Sequence, residues 1–250
     1  MGMIDRQAEI AQKIRQNGRV NVAELAVSYG VSAMTIRRDL AKLEQDGLVT
    51  VEYGGAVLKR PSLIEADMRQ KQMEFPDEKR RIAEAAIAFV RDGDSVFIDG
   101  GTTACEAARL LKQRKGLQIM TNSLLAANIL AADPENKLIM CPGQYRAMSM
   151  AFLGQMTDEF LAPFHFDVLI LGVEGIAEGI FVPDEAEGIT KKRLIRQSDT
   201  VICVADHSKF NRTFHYRITG LNEITHVITD DGLDKVSAGH FRQYTDLIIV

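Results

Sequence analysis

The chain is short of the residues that bind metals or form cross-links. Its three cysteines, Cys105, Cys141 and Cys203, lie far apart in or beside apolar runs and make no Cys-x-x-Cys pair. That pattern argues against a zinc site and for buried thiols in a reducing compartment. The five histidines, at 165, 207, 215, 226 and 240, show no ligand spacing, so neither a catalytic metal nor a cofactor is expected. No apolar run approaches the roughly 20 residues that span a membrane, and the N-terminus does not resemble a signal peptide. A cytoplasmic protein is the expectation. Positive charge is not in excess either: 30 Lys and Arg face 34 Asp and Glu, a net charge of −4.

What the chain does have is room for one small and one medium domain in 250 residues. The stretch 22–43 carries the clearest pattern. Val22, Leu25, Ala26 and Tyr29 share one face of a first helix, and Gly30 can take the positive φ of a corner. Val31 plugs that corner, and Ser32 is placed to N-cap a second helix. Ile36, Leu40 and Leu43 recur there at helical spacing and must face inward. Ser32, Ala33, Met34, Thr35, Arg37, Arg38 and Lys42 are left on the exposed side. A small polar N-terminal turn followed by paired arginines suits base edges and phosphates, so the pair of helices is read as a DNA-binding helix–turn–helix. The first 60 residues hold nine Lys and Arg against seven Asp and Glu. So weak an excess requires affinity to come from a few placed arginines and from doubling in a dimer or tetramer.

Before this pair, Ile4 to Asn17 reads as a helix with Ile4, Ile10, Ala11 and Ile14 as its stripe. After it, Asp46 to Val57 reads as two short strands around a turn, the wing of a winged helix. With Val31-Ser32, Thr35-Ile36-Arg37-Arg38-Asp39-Leu40, Leu43-Glu44, Gly47 and Gly54-Gly55-Ala56, residues 1–57 resemble the DNA-binding domain of the DeoR family of bacterial sugar-metabolism repressors. This chain has Val51 and Tyr53 where the family wing usually carries an arginine and a histidine.

Residues 58–77 lose periodicity and fill with charge, so they are read as the connector, either a tether or a structured hinge. From 78 to 250 the pattern becomes α/β. Asp77 is placed to cap a helix running from Glu78 to Val90. Apolar runs at 95–98, 117–120, 138–141, 168–171, 201–205, 226–229 and 247–250 alternate with helical segments, as in a mostly parallel sheet covered on both faces.

Ligands of such sheets bind beyond the carboxyl ends of the strands. Several of those ends suit an anion: Gly100-Gly101-Thr102-Thr103, Asn122-Ser123, Arg146 and Lys209. Glu78-Lys79, Asp99-x-Gly101-Thr102-Thr103, Thr121-Asn122-Ser123, Gly154, Gly179, Glu187-x-x-x-Lys191 and Ala205-Asp206-x-Ser208-Lys209-Phe210 resemble the DeoR-type sensor domain. The resemblance implies a fold related to ribose-5-phosphate isomerase and a phosphorylated sugar as effector. The residues it implicates are Asp99, Gly101, Thr102, Thr103, Thr121, Asn122, Ser123, Gln144, Arg146, Glu174, Glu187, Lys191, Asp206 and Lys209. Glu174 stands where a smaller or shorter polar residue is usual, and Pro142-Gly143 replaces a common Gly-Gly pair. The expected function is a transcriptional repressor of a carbohydrate-utilisation operon, released from operator DNA by a sugar phosphate. The rival reading is a sugar-phosphate isomerase with an incidental N-terminal domain, drawing on Asp99, Glu187, Asp206, Lys191 and Lys209 for a carboxylate base and for stabilising an enediolate. Paired arginines on a second helix have no use in such an enzyme.

Overall fold

The computed structural model describes residues 6, 7, 9–11, 13, 14, 19–45, 49–58 and 68–250. The chain divides into two compact units, Met1–Ser62 and Leu63–Val250. Ile4, the stop at Asn17-Gly18, the turn Asp46-Gly47 and most of the connector lie outside the described residues.

In the first unit, the described residues between 6 and 14 are helical, and Ile10, Ala11 and Ile14 are buried. Two helices follow, Val22–Tyr29 and Ala33–Gln45. The corner between them forms as its residues dictate. Gly30 adopts φ 63°, and the Ser32 hydroxyl accepts the Thr35 N–H at 3.1 Å. At the first helix's own start, the Asn21 side chain accepts the N–H of Ala23 at 2.8 Å. Ile10, Ile14, Val22, Leu25, Ile36, Leu40, Leu43, Val49 and Ala56 make one core, with Ala26 and Tyr29 only half-buried at its edge.

The wing has three strands rather than two: β1 (Arg19–Asn21), β2 (Val49–Glu52) and β3 (Gly55–Leu58), paired antiparallel in the order β1-β3-β2. A three-residue strand, Arg-Val-Asn, is too short to show alternation in sequence. Its position explains Gly55, where a Cβ would run into the Val20 carbonyl oxygen.

The second unit is built on seven strands: β4 (Ser95–Ile98), β5 (Gln118–Thr121), β6 (Lys137–Met140), β9 (Phe166–Gly172), β12 (Ser198–Val204), β14 (His226–Thr229) and β15 (Asp246–Ile249). They lie in the order β15-β14-β12-β9-β4-β5-β6, and every neighbouring pair is parallel. Successive side chains point to opposite faces. Val96, Ile98, Val168, Ile170, Ile202 and Val204 therefore pack under the helices Pro76–Ile87, Thr102–Leu111 and Leu124–Leu130. Phe97, Leu169, Leu171, Val201 and Cys203 face the opposite core, which includes Leu161, Leu194, Ile195 and Phe241. Burial on both faces is why these strands read as unbroken apolar runs. The remaining strands are short and antiparallel. β7 (Gln144–Arg146) pairs with β8 (Ala151–Leu153), while β11 (Ile180–Val182) lies between β10 (Gly175–Ile176) and β13 (Tyr216–Thr219).

Two helix starts differ from the sequence expectation. The helix expected to begin at Glu78 under an Asp77 cap begins at Pro76, with Phe75 in the left-handed region at φ 51° and no side-chain cap. Proline is preorganised for the first helical position, and Asp77 and Glu78 then sit in the first turn beside unpaired N–H groups. Part of the connector is ordered as a helix, Met68–Met73, within the second unit, with Met68 and Lys71 buried.

Chain order fixes where a ligand can enter. From β4 the chain moves to β5 and β6 on one side, then crosses to β9, β12, β14 and β15 on the other. The carboxyl ends of β4 and β9 therefore flank the point where strand order reverses, and open parallel sheets place their crevice there.

Candidate functional site

The second helix of the first unit presents the surface its sequence promised. Ser32, Ala33, Met34, Arg37, Arg38 and Lys42 are exposed, and Thr35 is half-buried with its hydroxyl 2.9 Å from that of Ser32. Among the described residues, neither Arg37 nor Arg38 is drawn into an ion pair, so both guanidinium groups face solvent. The helix is oriented from behind. Asp39 is 2 % exposed and accepts hydrogen bonds from Arg6 Nε at 2.7 Å and Gln7 Nε2 at 2.9 Å. That carboxylate, and the Glu44 carboxylate that accepts the wing N–H of Val51 at 2.8 Å, are polar ties the periodicity did not reveal. Tyr53 at the wing turn is fully exposed.

In the second unit a cavity opens at the strand-order reversal. Gly100, Gly101, Thr102 and Thr103 after β4, Gly172, Val173 and Glu174 at the end of β9, and Val204 and Ala205 at the end of β12 line it. Met68, Lys71, Ser149, Glu187 and Lys209 complete it. Glycine is needed where the two loops meet, because a Cβ on Gly172 would run into the Gly100 carbonyl oxygen. Gly101, at φ 129°, sits in a region L-residues rarely adopt and begins the helix Thr102–Leu111 with no side-chain cap. That ten-residue helix thus points uncapped N–H donors at the cavity, an arrangement suited to an anion. Among the described residues, the buried Ser149 hydroxyl there has no hydrogen-bond partner.

Beneath the cavity lies a buried charge cluster. Lys191 is 1 % exposed and donates to Asp99, to Glu187 Oε1 at 3.1 Å and to the Gly172 carbonyl at 2.9 Å. Asp99 in turn accepts the Gly172 N–H at 3.1 Å. Burial works against the Lys191 ammonium, but Asp99 and Glu187 outweigh it and hold the amine above its ordinary range. Lys191 and Asp99 therefore brace the Gly100-Gly101 and Gly172 loops and are not in the cavity wall. The cysteines are buried, and loss of solvent pushes each thiol up to about 12.

Of the residues singled out in sequence, Gly101, Thr102, Thr103, Glu174, Glu187 and Lys209 meet around the cavity. The others lie outside its wall. Thr121 donates to the Ile98 carbonyl at 2.6 Å, and Ser123 caps the helix Leu124–Leu130. Asn122 is buried outside the cavity wall, its side-chain carbonyl without a partner among the described residues. Gln144 is exposed on β7, and Arg146 pairs with Asp184 at 3.2 Å. Asp206 caps the turn His207–Lys209 by accepting the Ser208 N–H. Met68, Lys71 and Ser149 are among the lining residues that escaped the sequence reading. Met68 and Lys71 sit in a stretch without periodicity, and Ser149 lies in the turn between β7 and β8, whose strands are too short to show alternation.

An isomerase needs a carboxylate free to take a proton from its substrate. Of the carboxylates that reading offers, Asp99 is committed to Lys191 and Asp206 to the Ser208 turn, while Glu187 in the cavity wall is paired with Lys191 at 3.1 Å.

Comparison with known proteins agrees with the two-unit division. The family described as the DeoR-like helix-turn-helix domain matches residues 6–61, and the DeoR C terminal sensor domain matches residues 74–231. A protein of Escherichia coli O157:H7 whose name ties it to repression of the aga operon is 36% identical over 247 residues, covering 97% of this chain and 91% of its own. The glycerol-3-phosphate regulon repressor of Escherichia coli K12 is 33% identical over 232 residues, 92% of each chain. Among solved structures, ribose 5-phosphate isomerase A of Methanocaldococcus jannaschii aligns over 54% of each chain at 17% identity and a TM-score of 0.41. With both family domains matched in order and relatives aligned along nearly their whole length, the chain belongs to the DeoR family of DNA-binding transcriptional repressors.

Proposed function

We propose that the chain represses a carbohydrate-utilisation operon and leaves its operator when a phosphorylated sugar enters the cavity at the ends of β4 and β9. The observation that carries this reading is the pairing of two sites in one chain: exposed Arg37 and Arg38 on a braced helix, and an uncapped helix start at Gly101 inside a cavity with Lys209. The helix Ala33–Gln45 enters the major groove, with Ser32, Ala33, Met34, Thr35, Arg37 and Arg38 toward bases and Lys42 toward phosphate. The effector phosphate lies on the N–H groups of Gly101, Thr102 and Thr103, with Lys209 supplying charge and Ser149 or Glu187 meeting sugar hydroxyls. Relatives named as repressors of the glycerol-3-phosphate regulon and of the aga operon support this class of effector. A dimer or tetramer supplies the paired heads that a weakly basic domain needs, reading half-sites about 10 bp or a multiple apart.

The experiment is a gel shift on the upstream DNA of the chain's own gene, with pentose and hexose phosphates added in turn. Thr103→Ala and Lys209→Ala should bind operator nearly as the parent does. Each should need about 10- to 100-fold more effector for release, the loss of a charge-assisted or amide-adjacent hydrogen bond. Release of both variants at the parent's effector concentration would place the site elsewhere.

A further inference from the structure

The cavity is small. It offers about 30 Å³ to a water-sized sphere, room for a water or two and far below the roughly 300 Å³ at which small-molecule sites begin. A sugar phosphate can enter only if something leaves.

Two occupants stand out. One is the Glu174 carboxylate, held between two ammonium groups: Lys71 Nζ is 2.5 Å from its Oε1 and Lys209 Nζ is 3.2 Å from its Oε2. Burial opposes its charge, yet Lys209 and Lys71 prevail and hold the carboxyl below its usual range. An anion is thus already seated in the cavity that the Gly101 helix start faces. The other occupant is the helix Met68–Met73, which contributes Met68 and Lys71 to the wall. Its far end is fastened by Lys79, a buried lysine that donates to the carbonyls of Lys71 and Glu74. The Lys71–Glu174 pair therefore joins this helix to the end of β9.

We infer that Glu174 is an internal stand-in for the effector phosphate, which displaces it from Lys71 and Lys209 and so unfastens the helix Met68–Met73. The inference rests on the reading of this cavity as the effector site. A phosphate brings more charge and more acceptor oxygens than one carboxylate, so it competes for the same two ammonium groups. The helix is the first described element after residues 59–67, the sequence link to the DNA-binding unit. Freeing it alters the described start of the second unit, next to that link. Linkage then demands that operator binding favour the Glu174-seated state and weaken phosphate binding by the same factor.

The test uses the full chain, inorganic phosphate as probe, calorimetric titration and amide exchange. Glu174→Gln, which keeps the shape and removes the competing charge, should bind phosphate about tenfold or more tightly than the parent. Saturating phosphate should raise amide exchange across 68–73 in the parent. Lys71→Met, which keeps the apolar stem, should show that raised exchange without phosphate. A folded Glu174→Gln protein with unchanged or weaker phosphate affinity would make the ion pair structural only and overturn the inference. Release of operator by sugar phosphates would in that case leave the effector reading standing. If neither protein binds phosphate and no sugar phosphate releases operator, the effector reading falls and this inference falls with it.

Discussion

Lys191→Met should cost the second unit about 3–5 kcal/mol of stability, because it leaves Asp99 charged, buried and without its counter-ion. Asp99 is 1 % exposed, and besides Lys191 its carboxylate accepts the Gly172 N–H. Water cannot reach it, so the variant must protonate the carboxyl or open the loops at 99–101 and 172. Urea unfolding checks this as a fall in midpoint at constant slope. Adding Asp99→Asn should recover part of the loss, since a neutral amide needs no cation. The dependence on pH follows from the sign of the shift. Lys191 is held above its ordinary range, so its contribution is complete below the unfolded value and is lost only as pH rises through the folded one. The parent should therefore show no loss from this group between neutrality and mild alkali. A cost under about 1 kcal/mol would mean that solvent reaches the cluster, contrary to its burial.

That cluster also shows where sequence reading stops. The helix–turn–helix was legible because its rules are local: apolar positions three and four apart, Gly30 at φ 63° and Ser32 as cap all act within a few residues. The sheet was legible for a similar reason, since burial on both faces leaves continuous apolar runs. Which strand ends converge is different, because it depends on strand order. Gly101 to Thr103 and Gly172 to Glu174 meet because β4 and β9 are neighbours at the reversal, although 73 residues separate Asp99 from the Gly172 N–H it accepts. Thr121 to Ser123 carry the same suitable chemistry one strand away, and spend it on the Ile98 carbonyl and a helix cap. The β1 strand and the Arg6–Asp39 tie were missed for the same cause: each draws its meaning from a partner distant in sequence.

Removing both Arg37 and Arg38 should abolish selective operator binding while leaving the fold intact. Each arginine that reads a base contributes about 1–3 kcal/mol of discrimination. Together that is about thirtyfold at the least for one head, and more where two heads bind. Both side chains are exposed, so their loss opens no cavity and strands no buried partner. The single variants divide the labour between them. An arginine on a base edge should change which operator is preferred, whereas one on phosphate should weaken all sequences alike and lower the salt slope by about one. Their neighbour supplies the contrast. Ile36 is 0 % exposed in a small aliphatic core, so Ile36→Ala should act through unfolding, at about 2–5 kcal/mol. It should lose DNA binding and thermal stability together, where the arginine variants lose only the first. Asp39 explains why the separation should be clean, since its bonds to Arg6 and Gln7 fix the helix from its buried side without either arginine. A double arginine variant that kept the parent's operator affinity at the same salt would show that another surface reads the DNA.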